Sequence, residues 1–259
     1  MEFDFVIVGA GSAGCALAHR LSASGAYSVA LVEAGGRDRS PWIHIPVGYF
    51  KTMGHPQIDW QYVTEPDPGL NGRSINWPRG RVLGGCSSVN GLLYVRGQRE
   101  DYDQWRQLGN EGWGWDDVVH CFKRAETWEG GGSDIRGDKG PLSVSETRLS
   151  RKAVDAYVQA AIEAGYPYND DYNGETQEGM GYFQLTAKNG QRCSAAKAYI
   201  TPIRGRSNLT ILTGRLTKQV MIEDDRARGI KVMHGGVEET IRARREVILS
   251  AGAIRSPAR

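Results

Sequence analysis

Phe5-Val6-Ile7-Val8 is an unbroken apolar, largely β-branched run, the pattern of a strand buried on both faces of a parallel sheet. Gly9-Ala10-Gly11-Ser12-Ala13-Gly14 follows at once. Ala16, Leu17, Arg20 and Leu21 then continue at helical spacing towards Gly25, a stop signal. Residues 28–32 predict a second buried strand, ending on Glu33. Further on, Ala153, Val154, Tyr157, Ala160, Ala161 and Ala164 recur every three or four residues, predicting an amphipathic helix from Ser150 that Gly165 caps. After Asn208 the pattern changes to that of short strands, at 209–212, 220–222 and 229–232, with turns at 223–226 and 235–236. These three predict a meander packed on the first domain. Residues 247–250 predict a last apolar strand returning to the parallel sheet.

The order strand, GxGxxG, helix, strand, acid is a dinucleotide-binding pattern with a physical basis. Gly9 permits the tight turn, Gly11 lets a pyrophosphate reach the backbone, and Gly14 lets helix and strand pack closely. The helix N-terminus offers free N–H groups and the positive end of its dipole to phosphates. Glu33, 19 residues after Gly14, would accept hydrogen bonds from the adenosine ribose. The motif does not separate NAD from FAD.

Composition narrows the classes. With 259 residues, 40% of them apolar and 24% charged, the chain suits one large or two small globular domains and not a disordered, collagenous or coiled-coil protein. A net charge of +2 without a long basic run gives no footprint for nucleic acid. No apolar run reaches the roughly 18 residues of a membrane-helix candidate. Cys15, Cys86, Cys121 and Cys193 form neither a CxxC pair nor a zinc pattern, so no metal is expected. The acidic start, Met1-Glu2-Phe3-Asp4, lacks the features of a signal peptide. Together these predict reduced thiols and a cytoplasmic location.

Residues 78–97, PRGRVLGGCSSVNGLLYVRG, form a glycine-punctuated loop leading into an apolar segment, suited to a backbone lying against a planar or phosphorylated ligand. This stretch resembles the first signature of the glucose–methanol–choline (GMC) family of FAD-dependent oxidoreductases. Residues 246–257, EVILSAGAIRSP, resemble the second. Asp59-Trp60, Thr64-Glu65-Pro66, Tyr102-Asp103-Gln104-Trp105, Gly112-Trp113-Gly114-Trp115, Gly140-Pro141-Leu142 and Gln191-Arg192-Cys193-Ser194-Ala195 follow the family's order. The likeness spans essentially the whole chain and is strongest to the choline dehydrogenase and alcohol dehydrogenase branch.

The resemblance implies an α/β fold. A Rossmann-like FAD-binding domain at 1–100 and 205–259, with a lid or extended segment at 38–74, is interleaved with the first part of an α+β substrate domain at 101–204. It implies that Gly9, Gly11, Ser12, Ala13, Gly14, Glu33 and Ala34 hold the ADP half of FAD. Val82, Gly85, Ser87, Asn90, Gly91, Leu92 and Leu93 would lie along the pyrophosphate, ribityl chain and isoalloxazine. The backbone of Val220 would meet the adenine, and Ala251 and Gly252 would form the turn back to the nucleotide. Some members carry a histidine, able to bond covalently to the flavin, where this chain has Val89, which implies FAD held non-covalently.

The implied reaction is oxidation of an alcohol, choline-like or primary, to an aldehyde or ketone by hydride transfer to flavin N5. The electrons would pass to a quinone or to oxygen, and a peripheral membrane association would be compatible with this. The family's histidine base lies well beyond the second signature. None of His19, His44, His55, His120 and His234 sits in a matching motif, so no catalytic residue is assigned. The chain therefore reads as the N-terminal half of a protein about twice as long. A non-catalytic flavin-binding fragment, or half of a split protein, is the competing reading, and an NAD(P)-dependent Rossmann dehydrogenase is a more remote one.

Overall fold

The computed structural model describes residues 1–258, which divide into two compact units. Of the described residues, the first comprises 1–91 and 190–258, the second 92–189.

The first unit is built on a six-stranded sheet. Its elements are β1 (Glu2–Val8), α1 (Ser12–Leu21), β2 (Val29–Val32), β3 (Leu209–Leu212), β4 (Leu216–Glu223), β5 (Arg226–His234), β6 (Val237–Leu249) and the short α2 (Gly252–Arg255). The spatial order is β4-β5-β6-β1-β2-β3. Neighbours from β6 through β3 are parallel, with Val6 opposite Val247 on one side and Ala30 on the other. Both faces of β1 and β2 are covered, which is why their sequences carry no polar alternation.

The expected strand at 209–212 forms, but as a parallel edge beside β2, not as the first strand of the meander. An apolar tetrapeptide specifies burial and leaves its partner open. The antiparallel meander is β4, β5 and the first part of β6. β6 is also longer than the expected strand at 247–250: its start pairs with β5 and its end with β1. Two-residue turns join these strands. Asp224 and Asp225 (φ 50° and 56°) and Gly235 and Gly236 (φ 58° and 85°) are left-handed, the geometry that matches strand twist in a tight hairpin. The meander packs against the parallel strands, where Ile230, Val232, Ile241 and Ala243 meet Val6, Val8, Ala30 and Val32 in one core.

The second unit contains helices Arg99–Gln107, Trp115–Ala125 and Lys152–Glu163, with a parallel strand pair, Glu126–Trp128 and Leu142–Val144. The amphipathic helix expected from Ser150 starts two residues later, and Gly165 lies beyond its end at φ 96°. Among the described residues no helix is long and apolar enough to cross a membrane.

Candidate functional site

In the first unit, a cavity of about 420 Å³ opens at the C-terminal ends of the parallel strands, the usual place for a ligand in an open α/β sheet. Its floor is the turn between β1 and α1. Gly9 stands at φ 97°, and a Cβ there would come within 2.5 Å of the Ser250 carbonyl. Gly14 is packed so tightly that a Cβ would lie 1.9 Å from the Gly9 carbonyl. Gly11 differs from both: an added Cβ meets nothing within 4 Å, and the residue lines the cavity. The chain's own packing therefore does not require glycine at position 11.

Gly11 begins α1 without any side-chain cap, and the first turn holds no acidic residue. The N–H groups of Ser12 and Ala13, two residues that also line the cavity, belong to the uncompensated positive end of the helix dipole. Glu33 closes the opposite wall. Its carboxylate is buried and accepts from the Ala10 N–H at 3.0 Å and the Gly35 N–H at 2.8 Å. Burial pushes its pKa up, opposed by these backbone donors and the charge of Arg81. Both oxygens accept from backbone donors, and a carboxylate's four lone-pair sites leave acceptor capacity for a hydroxyl. A cradle open at Gly11, an uncapped helix start and a buried carboxylate fit a dinucleotide.

Gly80, Gly85 and Cys86 form the roof. Gly84 N–H donates to the Ala10 carbonyl at 2.7 Å, and a Cβ on Gly85 would come within 2.7 Å of Gly11 Cα. The signature loop thus lies directly on the dinucleotide turn. Gly85, Ala251 and Gly252 line the cavity together with Gly9, Gly11, Ser12, Ala13, Glu33 and Ala34.

The other expected residues take different places. Val82 is buried with Ile43, Ile58 and Val89. Ser87 Oγ donates to the Gly84 carbonyl at 2.6 Å and accepts from Ala195 N–H at 2.9 Å. Asn90 is held by Arg192, and Gly91 ends this part of the first unit. Leu92 and Leu93 belong to the second unit, where the Leu92 carbonyl accepts from Thr186. Val220 packs on the sheet core, and β4 reaches the cavity with Leu216 and Thr217 instead, just after Arg215.

Several lining residues were not singled out as ligand contacts from the sequence. Arg215 is carried there because its N–H donates to the Glu33 carbonyl at 2.9 Å, a pairing with no local signal. Trp60 and Tyr62, within the lid or extended segment expected at 38–74, stand parallel with centroids 6.0 Å apart on the wall. Arg255 lies 4.1 Å over the Trp60 ring and Arg81 5.0 Å from it. None of the five histidines lines this cavity.

The strand order and the glycine-lined cavity define a Rossmann-like dinucleotide-binding protein. The GMC oxidoreductase family model matches residues 3–258, and the chain belongs to that family. It is 45% identical over 257 residues to an oxygen-dependent choline dehydrogenase of Rhizobium etli (strain CIAT 652), covering 99% of this chain and 47% of that protein. The corresponding protein of Photobacterium profundum is 45% identical over 258 residues, 98% of this chain and 45% of its own. The chain thus spans about half the length of the curated relatives it matches. Among solved structures, pyridoxine 4-oxidase from Mesorbium loti superposes with a TM-score of 0.93 at 35% identity, over 98% of this chain and 50% of that one. A formate oxidase from Aspergillus oryzae RIB40, studied for its FAD modification, gives 0.87 at 30% identity, over 99% and 46%.

Proposed function

We propose that this chain is the FAD-binding portion of a GMC oxidoreductase that oxidises an alcohol, choline-like or primary, to an aldehyde or ketone. The observation that carries it is the cavity bounded by the open cradle at Gly11, the uncapped start of α1 and the buried Glu33 carboxylate. The first unit is the FAD-binding domain, and the second is the first part of the substrate domain. When bound, FAD supplies the hydride acceptor at N5 of its ring, and oxygen or a quinone takes the electrons onward. The chain's residues bind and orient: the α1 N-terminus faces the pyrophosphate, Glu33 the ribose, and the 85–91 segment the rest of the cofactor. The choline dehydrogenase relatives support the substrate class.

The protein at its natural length is expected to purify yellow, with bands near ~370 and ~450 nm, and to oxidise choline or a primary alcohol with a dye acceptor. Colourless protein that reduces NAD⁺ would overturn the reading. Val89 is 4% exposed, and its apolar side chain packs among Ile43, Ile58 and Val82. It has no nucleophilic atom, so the cofactor is held non-covalently. Acid precipitation is expected to leave the yellow colour in the supernatant, and colour retained in a washed pellet would contradict this.

Glu33→Ala is expected to weaken FAD binding by about 1–3 kcal/mol, because the ribose loses its acceptor and the backbone donors of Ala10 and Gly35 lose theirs. Fluorescence titration of the apoprotein measures the change. An unaltered Kd would remove Glu33 from the site.

A further inference from the structure

Arg192 is only 1% exposed, yet its guanidinium meets neutral acceptors alone. Nε donates to the Ile43 carbonyl at 2.7 Å. One terminal nitrogen donates to the Ser87 carbonyl at 3.1 Å and to Asn90 Oδ1 at 2.7 Å, and the other to the Asn90 carbonyl at 2.7 Å. No carboxylate pairs with it among the described residues. Burial alone pushes its pKa down to about 10, so it remains a cation at neutral pH.

A buried charge without a counter-ion is expensive, and buried arginines are normally paired. A purely mechanical tie between these loops would need donors, not a net charge. The acceptors also converge on one place. Three of the four belong to Ser87 and Asn90, in the loop that lies on the dinucleotide turn. A further bond, from Ala195 N–H to Ser87 Oγ, grips the same loop from the same stretch of chain. The contact to Oδ1 also sets the Asn90 amide, turning its NH₂ away from the arginine.

We infer that Arg192 is the positioning residue of the 85–90 loop and the resident positive charge beside it: it fixes the Ser87 and Asn90 carbonyls and favours negative charge building up on an electron-accepting ring held by that loop. The inference deepens the FAD reading and rests on it. The fork and the charge are separable by substitution. Arg192→Lys keeps the charge and loses the four-way fork. Arg192→Gln loses the charge and keeps at most a fraction of the fork.

The test uses the protein at its natural length. FAD affinity is measured by titration of the apoprotein, and the flavin midpoint potential by reduction against reference dyes. Both variants are expected to bind FAD at least tenfold more weakly. The potential should become more negative in Arg192→Gln and stay at the wild-type value in Arg192→Lys. A lysine variant that holds FAD as tightly as wild type would overturn the positioning role. Equal potentials in wild type and Arg192→Gln would overturn the electrostatic role. If Arg192→Gln does not fold, the lysine variant decides, since a potential lowered there excludes charge as the cause. Wild-type protein that takes up no flavin would instead defeat the cofactor reading itself.

Discussion

Gly11→Val is expected to weaken FAD binding sharply while leaving the apoprotein folded. Gly11 has φ −76°, open to any L-residue, and an added Cβ meets nothing within 4 Å. The cost to the fold is limited to a poorer helix cap, about 1 kcal/mol or less relative to glycine. The new methyl groups would instead occupy the space at the uncapped end of α1, where a pyrophosphate must touch backbone. A loss of roughly 100-fold in affinity, about 2.7 kcal/mol, is expected. Gly14→Val provides the contrast, because its Cβ would sit 1.9 Å from the Gly9 carbonyl and break the β1–α1 packing itself. Thermal unfolding of the two apoproteins, beside FAD titration, separates the cases. Gly11→Val protein binding FAD within about threefold of wild type would remove Gly11 from the site.

How far the site could be read in advance follows from where each element's information lies. The β1–α1–β2 unit is local: uninterrupted apolar runs, glycines at fixed offsets and a terminal acid all fall within residues 5–33, and the fold places them as that pattern requires. β6 is not local in this sense. Its first part, Val237-Glu238-Glu239-Thr240-Ile241-Arg242-Ala243, buries only Ile241 and Ala243, and its charges resemble a surface loop until β5 pairs with it. The lining residues Arg215 to Thr217 are placed by the N–H groups of Gly214 and Arg215, which donate to the Gly35 and Glu33 carbonyls, partners far away in sequence. The loop at 85–91 was legible as a motif, whereas the arginine that holds it was visible only as one letter of a supporting stretch. A side chain's role as a buried fork depends on carbonyls whose directions no sequence pattern records.

The second unit provides the largest expected effect on stability. Glu126, fully buried, follows the end of helix Trp115–Ala125 and lies between two buried arginines. Its Oε1 accepts from Arg136 at 2.7 Å, and its Oε2 accepts from Arg96 and from Gly137 N–H, the latter at 3.0 Å. Arg136 also pairs with Asp171 and donates to Gln184 at 3.0 Å, so two cations and two carboxylates balance. Removing the central carboxylate leaves a net positive charge in a site closed to water. Glu126→Ala is therefore expected to destabilise the protein by about 3–5 kcal/mol, the cost of an uncompensated buried charge and not the net worth of the pair. Adding Arg136→Met should recover part of that loss, because the second substitution removes one of the stranded charges. Urea unfolding of the single and double variants measures the coupling. Strictly additive losses would show that the two side chains do not share one electrostatic site, and a change under about 1 kcal/mol for Glu126→Ala would show that the arginines find water once the carboxylate is gone.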